Sequence, residues 1–294
     1  MDDRDEQRTG DFVRVGARDN FYQSCAFLPM SFALVTTVDE AGDTGIGPHA
    51  LCFPFNVTEP YAMLLISRPT SATAANIRRS RRCALNYVEF DAERLRAITR
   101  LGYPGQSPEA KRKANPFTLR PSPLAACRGT MDHPQIIDEA VQVFECTWDD
   151  TLPVDMGPAP PASPGTGKFV LRIDDILLKP QFRAGVEEGR EFPNLPIFYG
   201  FRARGEFWFA GHARPFAIAA PTVPGNELQA VIYLANRLDE KVRFSEAACR
   251  RLTDVPRPFL QAVLERIIAT ARQQGVCTVD ETFLDAVRQQ RGRN

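Results

Sequence analysis

The chain of 294 residues has little of what the simplest site chemistries need. Histidine occurs three times, at His49, His133 and His212. The seven cysteines (Cys25, Cys52, Cys83, Cys127, Cys146, Cys249 and Cys277) form no Cys-x-x-Cys pair. That spacing argues against structural zinc and a disulfide framework, and thiols scattered through apolar runs read as small, reduced core residues. No metal is expected. Lysine plus arginine equals aspartate plus glutamate at 36 each, so no net field draws the chain to nucleic acid or to an acidic membrane surface. No apolar run is long enough to cross a bilayer, and the charged start, Met1-Asp2-Asp3-Arg4, carries no secretion signal. The expected setting is the cytoplasm. No Ser-His-Asp order or paired-carboxylate motif stands out, which disfavours covalent hydrolysis.

What the chain does have is apolar residues, 44% of the total. At this length they allow a substantial core, in one large domain and a small one. The stretch Leu28–Val88 organises the rest. Phe32–Val38 is apolar and β-branched, and Asp39-Glu40-Ala41-Gly42-Asp43 has the composition of a tight turn, so a hairpin is expected there. Tyr61–Ser67 reads as another strand, Thr73–Ser80 as a short helix and Cys83–Val88 as the strand that follows. Ser67, Thr70, Ser71 and Thr73 offer hydroxyls between strand and helix, and Arg68 offers a guanidinium. With the free amides of a helix N-terminus they form a set suited to a phosphate monoester. The plainer alternative is that Ser71 or Thr73 caps the helix while Arg68 is solvated. The run Arg78-Arg79-Ser80-Arg81-Arg82 reads first as a solvated helix face and second as a dinucleotide phosphate contact.

Further along, Phe90–Leu101 has the pattern of a surface helix, Gly102–Pro123 that of a mobile loop, and Ile136–Trp148 and Phe169–Leu178 that of strands. The proline-rich segment 152–167 reads as an exposed loop. Boundaries are expected at 1–20 (a polar tail), 21–220 and 221–294, with Pro215–Gly225 as linker. In the last segment Ser245 is a candidate N-cap and Phe259–Ala271 repeats at helical spacing up to Gly275. Thr278–Glu281 reads as a capping box, which completes a three-helix unit.

Several of these residues recur in a known order. Pro29, Val35-Thr36-Thr37, Asp39, Gly42, Gly47-Pro48, Glu59-Pro60, Thr70–Thr73, Asn76-Ile77, Asn86, Glu139-Ala140 and Glu145-Cys146 resemble, in order and spacing, the flavin reductase-like family. The resemblance implies a mainly β (α+β) fold, the Greek-key antiparallel FMN-binding split β-barrel, and a homodimer. It implies FMN as cofactor, its phosphate on Ser67, Arg68, Thr70, Ser71 and Thr73. The strand from Pro48 to Phe53 would lie along the ring with Pro48, His49, Ala50, Leu51 and Cys52, and Asn76 or Asn86 nearby. His49 is the candidate catalytic residue by type. One departure counts against a conventional nicotinamide site: Gly167-Lys168-Phe169 stands where short flavin reductases commonly have Gly-Asp-His.

The activities implied are reduction of flavin by NADH or NADPH for a partner oxygenase, or use of FMN on a small organic substrate, with a separate reductase as possible partner. From another class comes a non-catalytic flavin- or tetrapyrrole-binding protein. The tetrapyrrole possibility rests on Phe244-Ser245-Glu246-Ala247, Leu252, Val255-Pro256, Phe259, Glu265, Ala271 and Gly275. These resemble the small C-terminal domain of the light-independent protochlorophyllide reductase B subunit, with Phe244 where that pattern usually has Trp.

Overall fold

The computed structural model describes residues 8–9, 12–13, 15–17, 21–57, 59–103, 107–125, 133–152, 167–202, 206–218, 227–255 and 257–291. Most of the proline-rich segment 152–167, and Cys127, lie outside them. The chain divides into two compact units, 1–217 and 218–294.

The first unit is built on seven strands. They are β1 (Ala33–Val38), β2 (Thr44–His49), β3 (Cys52–Asn56), β4 (Ala62–Ser67), β5 (Arg82–Val88), then, after the short strands β6 (Leu119–Arg120) and β7 (Ile136–Ile137), β8 (Ala140–Trp148) and β9 (Gly167–Leu178). The sheet order is β2-β1-β5-β8-β9-β4-β3, antiparallel throughout. The expected hairpin is β1–β2, in register from Ala33 opposite His49 to Val38 opposite Thr44. Its turn is closed by Asp39, whose carboxylate accepts from the amides of Ala41 and Asp43 at 3.0 Å each.

The connectivity forces the sheet to curl. β2 and β3 hold opposite edges, yet only Ala50 and Leu51 separate them in sequence. Laid flat, six strand spacings would part the edges by about 29 Å, whereas the link reaches roughly 11 Å at most. The edges therefore meet, and the Ile66 amide bonds to the Leu51 carbonyl at 2.8 Å. This is the curled antiparallel barrel sheet that the family resemblance implies. It also corrects one detail: Pro48–Phe53 is not a single strand, because the chain crosses from one edge to the other at residues 50 and 51.

Side-chain alternation sends successive residues to opposite faces, and here both faces are covered. Val35, Leu65, Leu85, Phe169 and Leu171 pack in one cluster with Ala74 and Ile77 of helix α1 (Ala72–Ser80). Leu34, Ala84, Val88 and Val143 pack in another with Leu95 and Ile98 of helix α2 (Ala92–Gly102). That is why β1 and β5 are buried nearly end to end. The stretch expected as a mobile loop holds a helix, α3 (Pro108–Lys113). Ser107 caps it, accepting from the Ala110 amide at 3.1 Å, and Pro108 enters at the first turn where no amide is needed. Two further strands, β10 (Ile197–Arg202) and β11 (Glu206–Ala210), pair with each other and bring Phe198 and Phe209 into contact with ring centroids 5.2 Å apart.

The arginine run is solvent-facing, as the first reading expects, with Arg78 and Arg79 exposed and Arg81 and Arg82 half-buried, and its guanidinium groups also have protein partners. Arg78 donates to the Pro69 carbonyl at 2.9 Å and lies over the Phe169 ring, and Arg79 donates to the Val38 carbonyl. Arg81 takes the left-handed conformation that ends α1, with φ 59°. It pairs with Asp150 at 2.8 Å and covers Trp148. Arg82 donates to Thr147 at 3.2 Å. Each guanidinium ties α1 or β5 to a neighbouring element.

The second unit has its own core. Helix α5 (Glu227–Ala235), following the short α4 (Arg183–Glu188) of the first unit, contributes Val231 and Ala235. Helices α6 (Glu246–Arg251), α7 (Arg257–Gln273) and α8 (Glu281–Arg291) contribute Ala248, Leu264, Ile267, Ile268, Ala271 and Leu284. Ser245 caps α6 as expected, accepting from the Ala248 amide at 3.1 Å, and Gly275 follows α7 at φ 67°. The capping box at Thr278 is corrected. Thr278 pairs with Arg243 in a short parallel ladder, and Asp280 caps α8 by accepting from the Phe283 amide at 2.8 Å. Helix α5 joins the three helices read from the sequence.

Candidate functional site

Strand β4 ends at Ser67 and helix α1 begins at Ala72, so the four residues between them must turn the chain and cap the helix. Ser71 does the capping: its hydroxyl accepts from the Ala74 amide at 3.0 Å, and it also meets the Ser67 hydroxyl at 2.7 Å. When Ser67 donates to Ser71, the Ser71 hydrogen is left for an outside acceptor; in the other sense the Ser67 hydroxyl points to the Arg68 carbonyl at 3.5 Å. The amides of Ala72 and Thr73, at the open end of the helix, have no partner among the described residues. Arg68 and Thr70 are exposed at the rim. The donors at this helix terminus therefore suit an anion, and Ser71 is the residue that caps it.

The closing edge of the barrel stands against this terminus. Thr73 is buried, and its Oγ1 lies 2.5 Å from where a Cβ on Gly47 would sit; His49 Nε2 lies 3.2 Å from the same point. Only a glycine at 47 lets α1 approach β2 this closely. One residue on, Pro48 is covered by Gly102 at the end of α2, where an added Cβ would come within 2.9 Å of Pro48 Cγ. His49 is half-buried, and burial followed by the Arg68 guanidinium lowers its pKa to about 4. Its ring is neutral at pH 7.

That shift has a measurable sign. An unfolded histidine titrates near ~6.5, so between there and about 4 the folded chain binds fewer protons than the unfolded one. Stability present above the unfolded value is then lost as the pH falls toward the folded one. We expect the parent to lose on the order of 2 kcal/mol more than His49→Gln between neutral pH and about pH 4.5, measured by urea unfolding at each pH. Equal losses would show that His49 is solvated.

Ser67, Arg68, Thr70, Ser71, Thr73, Pro48 and His49 thus meet where β2, β4 and α1 converge. Ala50 and Leu51 are half-buried at the barrel crossing. Cys52 belongs elsewhere: its thiol packs in the interior cluster beside Cys83, and burial, then Cys83, push its pKa up to about 12. Asn76 donates to Thr37 Oγ1 at 3.1 Å, tying α1 to β1. Asn86, expected near the ring, is fully buried and bonded to Leu34, Thr36, Ala84 and Ile137. It is a structural hub, away from any ligand surface. Two further residues stand near this corner, Gly47, which the sequence singles out only in the Gly47-Pro48 pair, and Lys111. Gly47 is signalled by its place inside a strand, where glycine often marks close backbone approach. Lys111, on α3, is signalled only by the Ser107-Pro108-Glu109 helix start.

The fold and this edge define a class. The flavin reductase like domain matches residues 25–181, and the chain belongs to that family. No curated protein matches it. Among solved structures it is similar to an FMN-binding protein from Thermus thermophilus with bound p-hydroxybenzaldehyde, at 15% identity and TM-score 0.50 over 71% of this chain and 100% of that one. It is also similar to a protein with a split barrel domain from Shewanella frigidimarina, at 15% identity and TM-score 0.50 over 66% of this chain and 87% of that one. At such identity the likeness shows the fold. Among the described residues no group of His, Cys, Asp and Glu could hold a metal ion, and no helix is long and apolar enough to cross a membrane.

Proposed function

We propose that the chain is an FMN-dependent oxidoreductase whose flavin phosphate sits at the start of α1. The observation that carries this reading is the convergence of the Ser67–Ser71 hydroxyl pair, two unpartnered helix amides and Arg68 on one terminus, in a chain of this family. The donor set fits a phosphate monoester in number and in sign. Bound FMN supplies the hydride and electron transfer that side chains lack. The protein's part is to anchor the phosphate through Ser67, Arg68, Thr70, Ser71 and Thr73 and to line the ring with the backbone of β2 and the crossing at Ala50 and Leu51. His49, neutral at working pH, is placed to hold or accept a proton.

The electron donor in this reading is NADH or NADPH, and the acceptor a partner oxygenase or a small organic substrate. One observation favours supply of electrons by a separate reductase. Gly167 pairs with Ser67 beside the cradle, and its small size admits Arg78 Nη2, 3.3 Å from where a Cβ would sit. The segment therefore brings a glycine and Lys168, with no histidine, to that corner. Exposed Phe207 and Trp208 on β11 support a homodimer. The likeness of residues 244–275 to the protochlorophyllide reductase B domain supports an accessory role for the second unit.

The test is an anaerobic absorption spectrum of the protein with FMN, before and after NADH or NADPH. A protein-bound flavin that bleaches is the expected result for the reductase. Bound flavin that stays oxidised until a separate reductase is added moves the assignment to the second reading. Absence of any bound flavin overturns both.

A further inference from the structure

Most cations on α1 and α3 have fixed partners. Arg78 and Arg79 hold backbone carbonyls, and Arg112 of α3 pairs with Asp39 at 2.7 Å and reaches Asp43 at 3.5 Å. Arg68 and Lys111 differ, since neither has an ion pair or a side-chain hydrogen bond among the described residues. Lys111 lies on α3, which packs against β2, the strand that carries Gly47 and His49, and the Arg112 ion pairs hold that helix to the β1–β2 turn. Lys111 is half-buried there. Burial, then the Arg68 guanidinium, lowers its pKa, so the two like charges feel each other. Holding two cations together and drawing one partly out of water is unfavourable unless an anion joins them.

We propose that Lys111, acting with Arg68, gives the site its second positive charge and so selects FMN over riboflavin. The inference rests on the FMN reading above and names the residue that sets its selectivity. A phosphate monoester carries about −1.5 to −2 at neutral pH. The helix terminus contributes roughly +0.5 and Arg68 one full charge, which leaves a doubly ionised phosphate short of a match. Lys111 raises the positive charge above that of the phosphate, so that even the doubly ionised monoester is fully offset, while His49 stays neutral and adds none. Riboflavin, which lacks the phosphate, gains nothing from either cation.

The experiment is fluorescence titration of FMN and of riboflavin into the parent, Lys111→Met, Lys111→Glu and Lys111→Arg, with circular dichroism confirming the fold of each. Lys111→Met should weaken FMN about tenfold, as expected for one lost charge-assisted contact, and leave riboflavin unchanged. Lys111→Glu should weaken FMN further, Lys111→Arg should restore it, and added salt should narrow the gap between parent and variant. Unchanged FMN affinity in Lys111→Met overturns the role of Lys111 while the FMN reading stands. An equal loss for both flavins also overturns it, because Lys111 would then be structural. A parent that binds neither flavin overturns the FMN reading and this inference with it.

Discussion

Gly47→Ala is expected to lower the unfolding free energy by about 1–3 kcal/mol and to cost the protein most of its affinity for FMN. The new methyl would sit 2.5 Å from Thr73 Oγ1 and 3.2 Å from His49 Nε2, so something has to move. Thr73 cannot move cheaply. It is β-branched and buried in the first turn of α1, where few rotamers are open to it. The turn itself is pinned by the Ser71 cap, by the Asn76–Thr37 bond and by Ala74 and Ile77 in the core. The remaining outcome is displacement of the N-terminal turn from β2, which parts Ser67 from Ser71 and turns the free amides away from the proposed phosphate position. Thr73→Ala removes the clashing oxygen, so the double variant should recover stability and affinity beyond the sum of the two single changes. Denaturant titration and FMN fluorescence on the four proteins measure both effects. A single variant that binds FMN as the parent does would show that Thr73 rotates away at no cost.

The contrast between Gly47 and Ser71 shows what was legible in the sequence. Ser71, Thr73 and Arg68 were readable because capping and anion binding are local: they depend on residue type within one turn of a helix start. Strands β1, β4, β5, β8 and β9 were readable because alternation and β-branching persist over five or more residues. Gly47 was readable only as a glycine inside a strand, since its role exists only when α1, more than twenty residues later, comes to rest on β2. The same holds for Cys52 and Asn86. Each lies in an apolar run that could face a ligand or a core, and only the curl of the sheet decides which. Lys111 was hidden differently. The glycines and prolines around α3 read as a loop, although Ser107-Pro108-Glu109 carried a helix start within it. Thr278 was misread because a strand pairing with Arg243 competes with the cap, and Asp280 stood two residues on to do the capping.

Asn86→Leu should be the more damaging of the two changes for the fold, lowering the unfolding free energy by roughly 3–4 kcal/mol. Asn86 is fully buried in β5, between β1 and β8. Its amide nitrogen donates toward the Leu34 carbonyl at 2.9 Å and toward Thr36 Oγ1 and the Ala84 carbonyl at 3.2 Å each. Its oxygen accepts from the Ile137 amide at 2.9 Å. Leucine has nearly the same shape, so little packing is lost. What it leaves behind is a buried N–H on Ile137 and a buried carbonyl on Leu34 that lose this partner. Asn86→Asp is no rescue near neutral pH, because a carboxylate would face those carbonyls while still accepting from Ile137. The damage should also spread. Ile137 pairs with Leu119 in the β6–β7 ladder, and that ladder holds the end of the segment bearing α3 and Lys111. Hydrogen exchange should therefore show β7 opening before the rest of the sheet in Asn86→Leu. FMN affinity should fall although Asn86 touches no ligand, and riboflavin affinity should fall less. An unchanged exchange rate at Ile137 would mean that its amide has another partner and that β7 is held by its packing.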